Sequence, residues 1–122
     1  MTTYTLLIYR TAAADEPLPS VPPTPGSDPL AGHRAVQAEA DLRHQLHAVA
    51  RLDAPDTART VRVRASGHEV TDGPFIESKE WLVGFYLVDC DSLEHALARA
   101  RQICGDPHHV IEVRPVDWRW RG

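Results

Sequence analysis

The chain has 122 residues, 43% of them hydrophobic, and a net charge of −4. That is one domain's worth of sequence with a small core, and the acidic balance excludes a general nucleic-acid footprint. No apolar run approaches a membrane span, and the first nine residues are too short and too uncharged for a secretion signal, so a cytoplasmic protein is expected.

Thr3 to Tyr9 reads as the first strand, with Tyr4, Leu6 and Ile8 on one side and Leu7 and Tyr9 on the other. Residues 12–29 hold six of the ten prolines. Such a stretch favours extended, solvated backbone and is long for a connection, so it reads as an insert: a surface loop, a lid or a partner arm. Asp28-Pro29 has the form of a helix start. Ala35, Ala38, Leu42, Leu46 and Val49 then recur at intervals of three or four, which predicts one helix to about Arg51.

Thr60 to Arg64 alternates strictly, Ser66-Gly67 turns the chain, and His68 to Thr71 returns, so a hairpin is expected. Trp81 to Val88 is the most apolar strand and should lie centrally, with Leu82, Tyr86 and Val88 facing away from Trp81, Val83, Phe85 and Leu87. Asp91 and Glu94 have capping-box spacing. The second helix should bury Leu93, Ala96, Leu97, Ala100 and Ile103 and stop at Gly105-Asp106-Pro107. His109 to Val116 is the last strand. Cys90 and Cys104 lack metal-ligand spacing and read as reduced structural thiols.

This order predicts an α+β fold, a ferredoxin-like antiparallel sheet with both helices on one face, in one domain over 1–122. The strands carry apolar groups on both faces, and helices cover only one. The economical second cover is an identical sheet across a two-fold axis, so a homodimer is expected.

Thr71-Asp72-Gly73-Pro74-Phe75, then Glu77, Lys79-Glu80 and Gly84-Phe85-Tyr86-Leu87, resembles the DGPF branch of the YCII-related family, and Glu112-Val113-Arg114-Pro115-Val116 resembles that branch's closing block. The resemblance covers about residues 1–10 and 58–117. It implies a dimeric α/β barrel, and for some relatives a lyase reaction with a His–Asp pair.

The candidate catalytic residues are Asp72 and His68. Asp72 is either a turn-former or a general base, and His68, four residues earlier, is the best-placed imidazole. The candidate substrate-binding residues are Arg114, Glu112, Tyr86, Trp81, Glu77 and Lys79. Glu112 and Arg114 share one face of the last strand, as an internal ion pair or as an anion site. Hairpin end and last strand are expected in one sheet, where Asp72 and Arg114 would converge with Tyr86 and Trp81 as walls. His33, His44, His47, His108 and His109 are surface groups or, in pairs, metal ligands, though no HExxH or CxxC accompanies them, so no metal site is assigned. Trp118 and Trp120 either pack across the dimer or stack on a ligand. No nucleotide or serine-nucleophile motif is present, so no cofactor is assigned. The expected function is a small cofactorless lyase, isomerase or cyclase of specialised metabolism acting by acid–base catalysis in a dimer-associated pocket. The alternative is a non-catalytic small-molecule-binding or regulatory module.

Overall fold

The computed structural model describes residues 1–11, 30–76 and 80–122. The expected helix start at Asp28-Pro29, the proline-rich insert and the candidates Glu77 and Lys79 lie outside the described residues.

The elements are β1 (Thr2–Thr11), α1 (Ala31–Leu42), β2 (Leu46–Arg51), β3 (Arg59–Arg64), β4 (Gly67–Asp72), β5 (Glu80–Cys90), α2 (Leu93–Ile103) and β6 (His109–Pro115). Four strands form an antiparallel sheet in the order β2-β5-β1-β6, the ferredoxin-like order. Both central strands, β1 and β5, alternate in burial along their length. Tyr4, Leu6, Ile8, Tyr86, Val88 and Cys90 meet Val36 and Ala40 of α1 and Ala96 and Ile103 of α2 in one core, with Ile111 and Val113 of β6 at its margin. The side chains between them, including Leu7, Tyr9, Phe85 and Leu87, are half-buried on the opposite, helix-free face.

Two close approaches depend on glycine. A Cβ at Gly32 would strike the carbonyl oxygen of Gln102, so α1 packs against the end of α2 only without one. A Cβ at Gly84 would lie 2.7 Å from the carbonyl oxygen of Ala50, the β2–β5 contact.

The helix expected to reach Arg51 ends at Leu42 instead. His44 takes a left-handed conformation with φ 57°, and Leu46 and Val49, read as a helical stripe, belong to a strand paired with β5. His44 and His47 therefore share no helix edge. The segment fits both periods, and the ladder offered by β5 decides between them. The cap of α2 is also displaced by one residue: the Ser92 hydroxyl accepts from the His95 amide at 3.1 Å, while Asp91 pairs with Arg43 at 2.9 Å.

The hairpin forms as expected, but as a separate two-stranded sheet. It is inserted between β2 and β5 and shares no ladder with β6. Asp72 and Arg114, expected in one sheet, therefore lie in different sheets of the chain.

One buried charge ties the layers together. Arg99 of α2 is 2% exposed. It donates to both carboxylate oxygens of Glu39 at 3.1 and 2.7 Å, to Gln45 Oε1 at 2.5 Å and to the Asp89 carbonyl at 2.7 Å. Hydrogen bonding from Arg99 holds the Glu39 carboxyl below its ordinary value against the cost of burial. A guanidinium without these acceptors would be costly there.

Candidate functional site

The sequence-based candidates are dispersed. Asp72 is 91% exposed and pairs with Arg59 at 3.1 Å. His68 lies opposite Val63 near the hairpin tip. Both occupy one face of β4, four residues or ~13 Å apart, so they do not touch. Glu112 and Arg114 lie opposite Leu7 and Thr5 on the helix-free face, with their charged atoms 4.0 Å apart and both side chains exposed. Such a pair contributes little to the stability of a single chain.

Tyr86 corrects the expected pocket wall. It is fully buried toward the helices, where its hydroxyl meets His33 Nδ1 at 2.7 Å and accepts from Gln37 Nε2 at 3.0 Å. Burial raises the Tyr86 phenol and, with the nearby charge of His109, lowers His33. The hydrogen bond runs from the phenol to Nδ1 or from Nδ1–H to the phenol oxygen, according to the His33 tautomer.

Trp81 lies elsewhere. It lines a concavity of about 350 Å³ at the hairpin root, together with Leu52, Pro55, Ala58, Pro74 and Leu82. The walls are mainly apolar. The nearest polar side chains, Asp53 and Thr57, bond to the backbone of Ala54. This hollow can hold a small apolar group but supplies no converging acid and base.

The polar cluster that does converge lies at the other end of the helix-free face. Asp89 of β5 accepts from Thr3 Oγ1 of β1 at 2.5 Å, and its second oxygen is 2.9 Å from His47 Nε2 of β2. Three adjacent strands thus present one side chain each. Both His47 and Asp89 are mostly shielded, with 23% and 20% side-chain exposure. Burial works to raise the Asp89 carboxyl, but hydrogen bonds from Thr3 and His47 and the charges of His47 and Arg119 outweigh it and hold it below its ordinary value. Nε2 is the donor to an ionised Asp89, so in a neutral His47 the lone pair lies on Nδ1.

The C-terminal tail reaches this cluster. Val116 donates to the Thr3 carbonyl at 2.8 Å, and Arg119 then places its guanidinium 3.3 Å from His47 Nε2. With that nitrogen's proton turned to Asp89, the approach is a close packing of donors, and Arg119 Nε is enclosed with no hydrogen-bond partner. Trp118 and Trp120 on either side are 76% and 77% exposed. Among the described residues, no three His, Cys, Asp or Glu side chains gather in a metal-binding group, and no helix is long and apolar enough to cross a membrane. Cys90 and Cys104 are both free thiols.

The profile of the YCII-related domain matches residues 31–120. The chain belongs to the YCII-related family. A protein of Rhizobium meliloti (strain 1021), described as uncharacterized, is 48% identical over 84 residues, which is 67% of this chain and 68% of that one. The likeness carries the family, and any chemistry of this YCII-related chain rests on its own residues.

Four of those residues escaped the sequence reading. His47 was placed on a helix, and Asp89, Thr3 and Arg119 were not singled out. The available signal was the alternation of Leu46-His47-Ala48-Val49-Ala50, which reads as a strand once the helix is ended at Leu42.

Proposed function

We propose that this YCII-related protein, of the DGPF branch suggested by its Thr71–Phe75 and Glu112–Val116 blocks, binds a small organic metabolite on the helix-free face. A second copy closes that face across a two-fold axis, as a dimeric α/β barrel. The reaction class is cofactor-independent proton transfer, as in a lyase, isomerase or cyclase.

The observation that carries this reading is the Thr3–Asp89–His47 network on the face that lacks a cover. Asp89 orients the imidazole, and His47 Nδ1 takes a proton from a C–H acid and returns it to another atom of the same molecule. A positioned base of this kind contributes about 10²–10⁴-fold. Arg119, and Arg114 with Glu112 further along the same face, would hold an anionic group. Asp72 and His68 can join only if the hairpin delivers them from a partner. The half-buried side chains of Leu7, Phe85 and Leu87 support the closure, because a wet apolar sheet face of this kind is unusual in a monomer.

A second reading is favoured by the hollow at Trp81, whose apolar walls and lack of a converging acid and base suit binding without catalysis.

The test is solvent exchange. The protein is incubated in D₂O with a panel of small keto acids and phenolic acids, and loss of carbon-bound proton signals is followed by NMR. Exchange by the wild type that is lost in His47→Gln and Asp89→Asn supports the acid–base reading. Ligands that perturb only the amides around Trp81, with no exchange, overturn it in favour of the binding module.

A further inference from the structure

Among the described residues β3 and β4 pair only with each other, through six residues on each side, so the arm is ~20 Å long. Its root is closed by Gly73 donating to the Ala58 carbonyl at 2.8 Å and by the Thr60 hydroxyl donating to the Gly73 carbonyl at 2.8 Å. Beyond that root it adds no strand to the larger sheet. An isolated two-stranded hairpin is marginal in water.

The two faces of the arm differ. One carries Thr60, Arg62, Arg64, Glu69 and Thr71 and is satisfied internally: Arg64 pairs with Glu69 at 2.8 Å, and Arg62 lies 4.7 Å over the Phe75 ring. The other carries Val61, Val63 and Val70, which are 63%, 78% and 64% exposed. Val61 and Val70 are directly opposite each other, and Val63 faces His68. Three β-branched side chains in register on one face of a two-stranded ribbon form an apolar strip without a cover among the described residues.

We propose that this valine strip grips a second copy of the chain, each arm reaching over its partner. The inference rests on the two-fold dimer proposed above and adds the element that clasps it. Three features select a second copy as the occupant. Among the described residues another apolar surface, the helix-free face, also lacks a cover, and a two-fold mate covers both surfaces in one self-complementary interface. The arm holds three arginines against two carboxylates, so it is positive on a chain whose net charge is −4. Its arginines are also committed: Arg59 to Asp72, Arg64 to Glu69 and Arg62 to Phe75. That leaves no row of cations for a phosphate backbone. One consequence follows for the site: His68 shares the valine face and is carried into the interface, where a single chain leaves it in solvent.

The test uses the full chain. Val61→Thr/Val63→Thr keeps the strand-favouring branch and replaces one methyl of each with a hydroxyl. Sedimentation velocity over a dilution series gives the dissociation constant of the dimer. The proposal expects at least a tenfold weaker dimer and faster hydrogen exchange at β3 and β4 amides. As a control on the opposite face, Thr60→Ser/Thr71→Ser should leave the dissociation constant unchanged. A wild-type dimer that the valine variant leaves equally tight overturns the arm but not the sheet-to-sheet dimer. An equal loss from the opposite-face variant also overturns it, because the effect would then come from arm stability. A wild-type chain that stays monomeric overturns both.

Discussion

The two faces of the four-stranded sheet are built from the same two central strands and are finished differently. On the helix side Leu6, Tyr86, Val88 and Cys90 are fully buried, and the polar groups among them have partners, Arg99 with Glu39 and Tyr86 with His33 and Gln37. On the other side Leu7, Phe85 and Leu87 are half-buried, and Asp89, His47 and Arg119 meet with one arginine nitrogen unpaired. The helix side thus completes a single chain. The helix-free side is where the proposed second chain and ligand would have something to supply.

The largest effects should separate the faces by stability. Leu6→Ala should cost about 2–5 kcal/mol in chemical denaturation, because it opens a cavity in a closed core. Leu87→Ala, on the helix-free face, should cost much less when measured in dilute monomer and should instead weaken association. Equal losses for the two in the monomer would show that the helix-free face is already a core.

Arg99→Ala should cost about 1–3 kcal/mol for each buried acceptor left without its donor, Gln45 Oε1 and the Asp89 carbonyl. Gly84→Ala should cost about 1–3 kcal/mol by forcing β2 away from β5. Both changes should also disturb His47 amide shifts, because β2 takes its strand pairing from β5.

The helix side also predicts a pH dependence. Burial, with the charge of His109, lowers His33 below its ordinary value of 6.5. The unfolded chain then binds more protons between the folded value and about 6.5. Stability is complete above that window and is lost as pH falls through it. Burial lowers His109 too, with the same sign. Asp89 and Glu39, lowered from carboxylate values, act only at still lower pH. His33→Gln should flatten the melting temperature between pH 7 and pH 5, and an unchanged slope would remove the His33–Tyr86 pair from the account.

The smallest effect belongs to the turn that ends α1. His44 holds φ at 57°, and a non-glycine residue there costs about 1 kcal/mol. His44→Gly should raise stability by that order.

Much of this architecture was legible in the chain. The alternation Tyr4, Leu6, Ile8 against Leu7, Tyr9 gave both strand and faces, and the apolar run from Trp81 gave the centre. The end of α1 was not legible, because no glycine or proline stands at residues 43–45 and Leu46 and Val49 fit a helical stripe as well as a strand. Tertiary pairing with β5 decided it. The sheet to which the hairpin belongs was hidden for a related reason: alternation marks a strand but not its neighbour. The site followed the same limit. Asp72 stood out through its turn motif, whereas His47 and Asp89 are 42 positions apart and meet only through β2–β5 register.

The central claim is that the helix-free face is closed by a second copy. Sedimentation equilibrium of the wild type and of Leu7→Arg at micromolar concentration tests it most directly. The account predicts a wild-type mass of two chains and a folded, one-chain mass for Leu7→Arg. A wild-type mass of one chain across that range would contradict it.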